Sequence, residues 1–363
     1  MFPISKTFAM PGTLEQIASA LGISISTVSR ALAGKPGVSP DKRRRIQELA
    51  SQLGFVPDQN ASSLRTGRGH GMAIITPFQP SRIALMRNNA LFTFGQKRFQ
   101  HVRMLVQSDS EPLDSLVRQA AALHPEAIVI SGISGEIGEA SRDMLHQKRI
   151  AVTVMDATVS GVDLVAVDRI TGIYQATRLL LLSDCRHIIF FCSASLERPD
   201  DRIRGILQAY QSLKRPTSEI EIAHVSGNGF KPGFQLTNEI IRSRPLDGLF
   251  CYNDEMAIGA LKALHDAGIR VPEEVKVVGF DNLSLAEYLP CPLTTVAQPV
   301  DDIAQAAVSL CEARLANPES PLRTMVFPTQ LLVRATATIR SHEQRVQVFN
   351  TPSKKDDQPT SEQ

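Results

Sequence analysis

The chain has 363 residues, 43% hydrophobic and 21% charged, with five cysteines and a formal net charge of +2. That length exceeds what one core usually organises, so two or three domains are expected, and the composition excludes a fibrous or wholly disordered chain. No apolar run reaches the roughly 18 residues of a membrane span.

The opening MFPISKTFAMPG lacks the continuous apolar stretch of a signal peptide, which places the protein in the cytoplasm. Cys185, Cys192, Cys251, Cys291 and Cys311 are scattered, without a C-x-x-C pair. They read as free thiols in a reducing compartment rather than a disulfide framework or a zinc site. No metal and no cofactor is expected. Charge is unevenly spread: residues 1–68 hold nine Lys/Arg against four Asp/Glu, a net +5, which leaves −3 for the rest. A basic head on a mildly acidic body suits contact with a polyanion.

In chain order, Thr13 and Gln16 form a capping box ahead of Leu14, Ile17, Ala18 and Leu21 at helical spacing. Gly22 ends that helix in the left-handed conformation. Ser24 caps a second helix that turns Val28 and Leu32 inward, flanked by Ala31. A third helix starts at Ser39-Pro40, carries Ile46, Leu49, Ala50 and Leu53 inward and stops at Gly54, with Lys42–Arg45 on its outer face. Two short helices joined across a Gly turn and braced by a third describe a helix-turn-helix, whose second helix enters the major groove. On that placement Ile25 and Ser26 face outward. Ile suits a thymine methyl and Ser bonds either base type. Thr27, Ser29 and Arg30 suit phosphate or base contacts.

The run TLEQIASALGISISTVSRALAGKPGVS resembles the DNA-binding signature of the lactose-repressor (LacI/GalR) family, and LGFVPDQNASSLRTGR resembles the end of its third helix and its hinge helix. The resemblance implies that Ile25 and Ser26 choose the operator and that Thr13, Ser24, Thr27, Ser29 and Arg30 lie on the DNA-binding face. It also implies that Ala61 and Leu64 meet DNA from the hinge, Leu64 as a minor-groove wedge. Asp58 and Ser62 depart from the family's usual Asn and Arg.

TGRGHG (66–71) reads as a linker. Beyond it the expected strands are 72–76, 102–107, 126–131, 150–156, 187–192, 248–253 and 276–281, alternating with helices such as Leu113–Leu123 and Ala257–Ala267. This βαβ pattern predicts an α/β body with mostly parallel sheets, and its length suggests two lobes. Ligands bind beyond the carboxyl ends of such strands. There the sequence offers Phe78, Asp156, Asn253-Asp254 and Phe280-Asp281, whose carboxylates, amide and ring faces suit a hydroxyl-rich ligand. Asp254 reads as the N-cap of the helix that follows.

YNDEMAIGALKALHDAGIRVPEEVKVVGFDN (252–282) and PCPLTTVAQPV (290–300) resemble the family's C-terminal lobe. The implied fold is that of type I periplasmic-binding proteins: two Rossmann-like lobes, three crossovers and an effector in the cleft. Carried over residue by residue, Arg202 of R-I-R-G would clamp the effector, Asn253 and Asp281 would hold its polar groups and Phe230 would stack on it. The family's Asn-Pro-Phe-Phe after the first strand is here replaced within QPSRIALM (79–86).

No histidine sits in a metal-binding or catalytic motif, and no G-x-S-x-G or P-loop is present, so the protein is not expected to be an enzyme. The expected organisation is a helix-turn-helix head (1–56), a hinge helix and linker (57–70), a two-lobed body (71–340) and a disordered tail (341–363). The expected function is an effector-controlled transcriptional repressor, homodimeric on double-stranded operator DNA, with a carbohydrate-like ligand. The alternative is a constitutive dimeric DNA-binding regulator without effector response.

Overall fold

The chain divides between Gly69 and His70 into two units. The computed structural model describes residues 13–32, 34, 36–55, 71–78, 81–108, 111–193, 201–225, 227 and 229–349. The hinge segment with Ala61 and Leu64, and the tail from 350 on, lie outside the described residues.

The described residues of the first unit form three helices: α1 (Leu14–Leu21), α2 (Ile25–Leu32) and α3 (Pro40–Gln52). The capping box at Thr13 forms in both directions, Gln16 N donating to Thr13 Oγ1 at 3.3 Å and Thr13 N to Gln16 Oε1 at 2.9 Å. Gly22 takes φ 63°, which only glycine adopts at little cost, and turns the chain toward α2. Ser24 caps α2 by accepting from Thr27 N at 3.2 Å. Ser39 stands at the N-cap of α3 without a side-chain cap bond, so Pro40 provides the start signal there. Ile17, Ala18, Val28, Ala31, Ile46 and Ala50 are the buried core. Leu53 was expected among them but is 37% exposed, because α3 ends at Gln52 and Leu53 is its C-cap.

The second unit holds two six-stranded sheets. In lobe 1, β1 (Gly71–Pro77), β2 (His101–Gln107), β3 (Ala127–Ser131), β4 (Ala151–Met155) and β5 (Asp163–Asp168) are joined by β11 (Thr324–Pro328) in the order β11-β5-β4-β3-β1-β2, all parallel. In lobe 2, β6 (Ile188–Ser193), β7 (Glu221–Val225), β8 (Gly248–Phe250), β9 (Lys276–Asp281) and β10 (Thr294–Ala297) are joined by β12 (Gln330–Leu332) in the order β12-β10-β9-β8-β6-β7, only β12 running antiparallel. The chain crosses between lobes after β5, after β10 and after β11, the three crossovers the resemblance implied.

Helices α4 (Arg82–Gln96), α5 (Leu113–Ala122) and α6 (Glu139–Gln147) cover the lobe 1 sheet. Helices α7 (Arg169–Leu181), α8 (Asp201–Ser212), α9 (Phe230–Ser243) and α10 (Asp254–Asp266) cover that of lobe 2. Helix α11 (Val300–Ala316) leaves lobe 2 and packs on the lobe 1 core. Strands β3, β4 and β9 are buried along their whole length, as a parallel sheet covered on both faces requires.

Two expectations need correction. The strand expected over 248–253 stops at Phe250, because Asn253 turns to cap α10. The tail expected to be disordered from 341 instead begins with helix α12 (His342–Phe349). Val348 of α12 is fully buried in the lobe 2 core. Gln344 Nε2 donates to Leu182 O at 3.1 Å, and Arg178 Nε donates to Gln347 O at 2.8 Å. A polar composition concealed the few apolar side chains that dock this turn. Among the described residues, no helix is long and apolar enough to cross a membrane.

Candidate functional site

In the first unit, the buried stripe of α2 is Val28 and Ala31, which leaves its N-terminal residues outward. Ile25, the first residue of α2, is 44% exposed despite its apolar side chain. Ser24, Ser26 and Arg30 are exposed beside it, with Thr27 and Ser29 half-buried and Thr13 exposed one helix earlier. The Ser24 hydroxyl lies 2.9 Å from that of Ser26 and 2.8 Å from that of Thr27. Three hydroxyls thus share one cluster at the helix start, and the cap fixes where the Ser26 hydroxyl stands.

In the second unit, polar side chains gather where the strands of both lobes end. Asp156 follows β4 with φ 55°, and Asp281 closes β9 with φ 115°. Neither residue is glycine, and backbone strain of this kind concentrates at ligand sites. The Asp156 side chain is buried between the guanidinium groups of Arg87 and Arg169, both paired with its Oδ2. Burial by itself would raise the Asp156 carboxyl, but the charges of Arg169 and Arg87 outweigh it and hold the group below the usual range. Arg87 also donates to Gln298 Oε1, and Gln298 Nε2 donates to Asp281 Oδ1 at 2.6 Å. A buried chain of hydrogen bonds therefore runs from Asp156 and Arg87 of lobe 1 to Asp281 of lobe 2. Burial pushes the Asp281 carboxyl up to about 6, opposed by the nearby Arg202 charge and the Gln298 bond.

Arg202 is the second residue of α8, in its first turn and three residues ahead of Gly205. A Cβ at Gly205 would meet Ile170 O at 2.9 Å, so glycine lets α8 lie against α7 and sets the height of Arg202. Its guanidinium donates to Tyr252 O at 2.7 Å and stacks over the Tyr252 and Phe280 rings, 3.6 and 4.6 Å from their centroids. Such a planar cation, held against two rings and a backbone carbonyl, suits a hydroxyl- or carbonyl-bearing ligand.

The structure thus brings Arg202 and Asp281 together. The cap expected of Asp254 is made by Asn253 instead. Asn253 is the N-cap of α10, its Oδ1 accepting from Met256 N at 2.8 Å. Asp254 is fully buried, accepting from Leu283 N at 2.7 Å and from Thr295 Oγ1 at 2.5 Å. A Cβ at Gly279 would meet Asp254 Oδ1 at 2.2 Å, so that glycine makes room for the carboxyl. Burial lifts Asp254 to about 8. Phe230 opens α9 at 36% exposure, and Phe78, 60% exposed, lies on lobe 1, whereas the other four expected effector residues are on lobe 2. Sequence reasoning missed Arg87, Arg169, Gln298 and Tyr252. The adjacency of Tyr252 to Asn253 was the only local signal, since a buried arginine leaves no mark in a helix's polarity pattern.

The pattern of bacterial regulatory proteins of the lacI family matches residues 13–58, and that of a periplasmic binding protein-like domain matches residues 177–337. The transcriptional regulator CelR of Thermobifida fusca is 28% identical over 340 residues, which cover 89% of this chain and 97% of that protein. The structure of a CelR–cellobiose complex has a TM-score of 0.60 at 23% identity, covering 90% of this chain and 100% of that one. The lac repressor dimer bound to operator and the anti-inducer ONPF has a TM-score of 0.74 at 20% identity, covering 90% of this chain and 99% of that one.

Proposed function

The chain belongs to the lactose-repressor (LacI/GalR) family of transcriptional regulators, and on that premise we propose that it is a repressor whose hold on its operator is set by a sugar-like effector bound between the two lobes. The family consists of DNA-binding regulators rather than enzymes. The protein acts in the cytoplasm as a homodimer, each head reading one half-site of a pseudo-palindromic operator. Exposed Leu85, Phe92, Met104 and Val106 on lobe 1, with Leu285 and Tyr288 on lobe 2, supply apolar faces for the partner copy. Ile25 and Ser26 read bases, and Ala61 and Leu64 act from the hinge.

The observation that carries the effector reading is the buried chain Asp156–Arg87–Gln298–Asp281, which links the strand ends of both lobes beside Arg202. A ligand bonded to Asp281 and Arg202 draws on the groups that fix lobe against lobe. Its binding therefore biases lobe 1, and through lobe 1 the spacing of the heads. The cellobiose of the CelR complex supports a sugar as the ligand class.

The test is operator selection from random DNA, followed by titration of the selected site with and without a sugar panel that includes cellobiose. Arg202→Ala is expected to bind operator as wild type and to lose the ligand response by about 100-fold or more, the scale of a charged ligand contact. An undiminished response in that variant would overturn the assignment of Arg202. A wild-type protein that no sugar stabilises, and whose operator affinity no sugar moves, would favour the constitutive alternative.

A further inference from the structure

Arg82 opens α4 on lobe 1, directly after the cap residue Ser81. A cation there opposes the positive end of its own helix, so the position is not explained by helix stability. Its partners lie on the other lobe. Arg82 Nε donates to Glu255 Oε1 at 2.7 Å, with the Arg82 side chain 59% exposed and that of Glu255 14%. The same guanidinium sits 5.4 Å from the centroid of the Phe230 ring. Glu255 lies in the first turn of α10, where a carboxylate is favoured by the helix dipole, and Phe230 is the first residue of α9. One lobe 1 side chain therefore holds the starts of two lobe 2 helices.

We infer that Arg82 is a cross-cleft latch: its ion pair with Glu255 and its contact with Phe230 hold the two lobes closed and so set the effector concentration at which the protein responds. The inference rests on the cleft being the effector site. An effector that needs the closed cleft binds with an apparent affinity scaled by the closed fraction. The latch raises that fraction without using Arg202 or Asp281, although its ring partner Phe230 is the residue expected to stack on the effector. Because Arg82 is mostly exposed, salt weakens the pair.

The test is hydrogen exchange on the full-length dimer without ligand, in wild type, R82E, E255R and the charge-exchanged double variant. The probes are peptides spanning the carboxyl ends of β4 and β9. Each single variant places like charges across the cleft and is expected to speed exchange there by about five- to tenfold, somewhat above the roughly fivefold that 1 kcal/mol gives. The double variant restores the ion pair though not the contact with Phe230, so it brings the rates most of the way back to wild type, and 1 M NaCl moves wild type toward the single variants. Melting temperatures are compared in parallel, so that a rise caused by general unfolding, which the double variant would not reverse, is separated from latch opening. Unchanged exchange in both single variants overturns the latch, as does a rise that the double variant fails to reverse. The readout uses no effector, so the two ideas fail separately: a latch that behaves as described beside an Arg202→Ala protein that still responds sinks the effector assignment alone.

Discussion

The head and the cleft place their polar chemistry in opposite ways. In the head, six small or aliphatic residues form the buried centre of the core, and each candidate contact residue among the described ones stands outside it. In the cleft, the groups with the most chemistry, Asp156, Arg87, Gln298, Asp281 and Asp254, are themselves buried. Recognition in the head is thus separable from stability, so one scaffold tolerates many reading residues. In the cleft the two are coupled, because a residue that meets a ligand also carries part of the interior electrostatics.

The largest expected effect tests the head's side of this contrast. Val28→Asp buries an unpaired carboxylate in a core of six residues, a cost of several kcal/mol that so small a core cannot absorb. Operator binding should vanish while the body melts as before, seen as loss of one calorimetric transition only. Retained operator affinity would show that the α2 stripe is not the core.

Arg87→Met tests the cleft. It leaves Asp156 buried with Arg169 alone and Gln298 Oε1 without its donor. Removing one partner of a buried pair costs about 3–5 kcal/mol, read as a lower urea midpoint with the head's transition unmoved. A loss below about 1 kcal/mol would mean that the pair is hydrated in solution.

The cleft's buried carboxyls also make its stability depend on pH. Asp254 is raised to about 8 and Asp281 to about 6 by burial, so the fold favours their protonated forms. Unfolded, both titrate near 4. Their contribution to stability is therefore complete below pH 4, is lost first for Asp281 as pH rises to about 6, and for Asp254 as it rises to about 8. The body of wild type should thus lose denaturant stability between pH 5 and pH 8. Asp254→Asn keeps an acceptor for Leu283 N and should flatten most of that slope. A variant with the wild-type slope would assign the pH dependence elsewhere.

The same contrast decides how much was legible in the sequence. The head is built from signals that act over three or four residues, such as the Thr13–Gln16 box and Gly22, so its elements can be read one by one. Most central strands of the body can be read as well, because burial on both faces makes them continuous apolar runs. Strands β5, β7, β10, β11 and β12 escaped the reading: β5 alternates buried and half-buried residues, β10 and β12 are only four and three residues long, and β11, though TMVFP, is almost wholly exposed. In the cleft, Arg202 was reached through resemblance, and Asp281 both through resemblance and through its place at a strand end. Arg87 and Gln298 were not, because they come from segments 211 residues apart that meet only in the fold. Asn253 and Asp254 show the limit of local chemistry, since either side chain can cap a helix. What separates them is the pocket that Gly279 leaves for one carboxyl.

The smallest expected effect on stability is also the finest test of separability. Ile25→Ala trims a residue that is 44% exposed and stands outside the buried core, so the melting temperature of the head should change by no more than about 0.5 kcal/mol allows. On operator DNA the variant should lose about 1 kcal/mol, roughly fivefold in affinity, if Ile25 covers a thymine methyl. Replacing each operator thymine in turn by uracil removes that methyl alone. Wild type should weaken by about the same factor at one position in each half-site, and Ile25→Ala should be indifferent there. Equal sensitivity of the two proteins at every thymine would remove Ile25 from the reading residues. Its exposure would then be left without a reason, and the separation of reading from folding in α2 would rest on Ser26 alone.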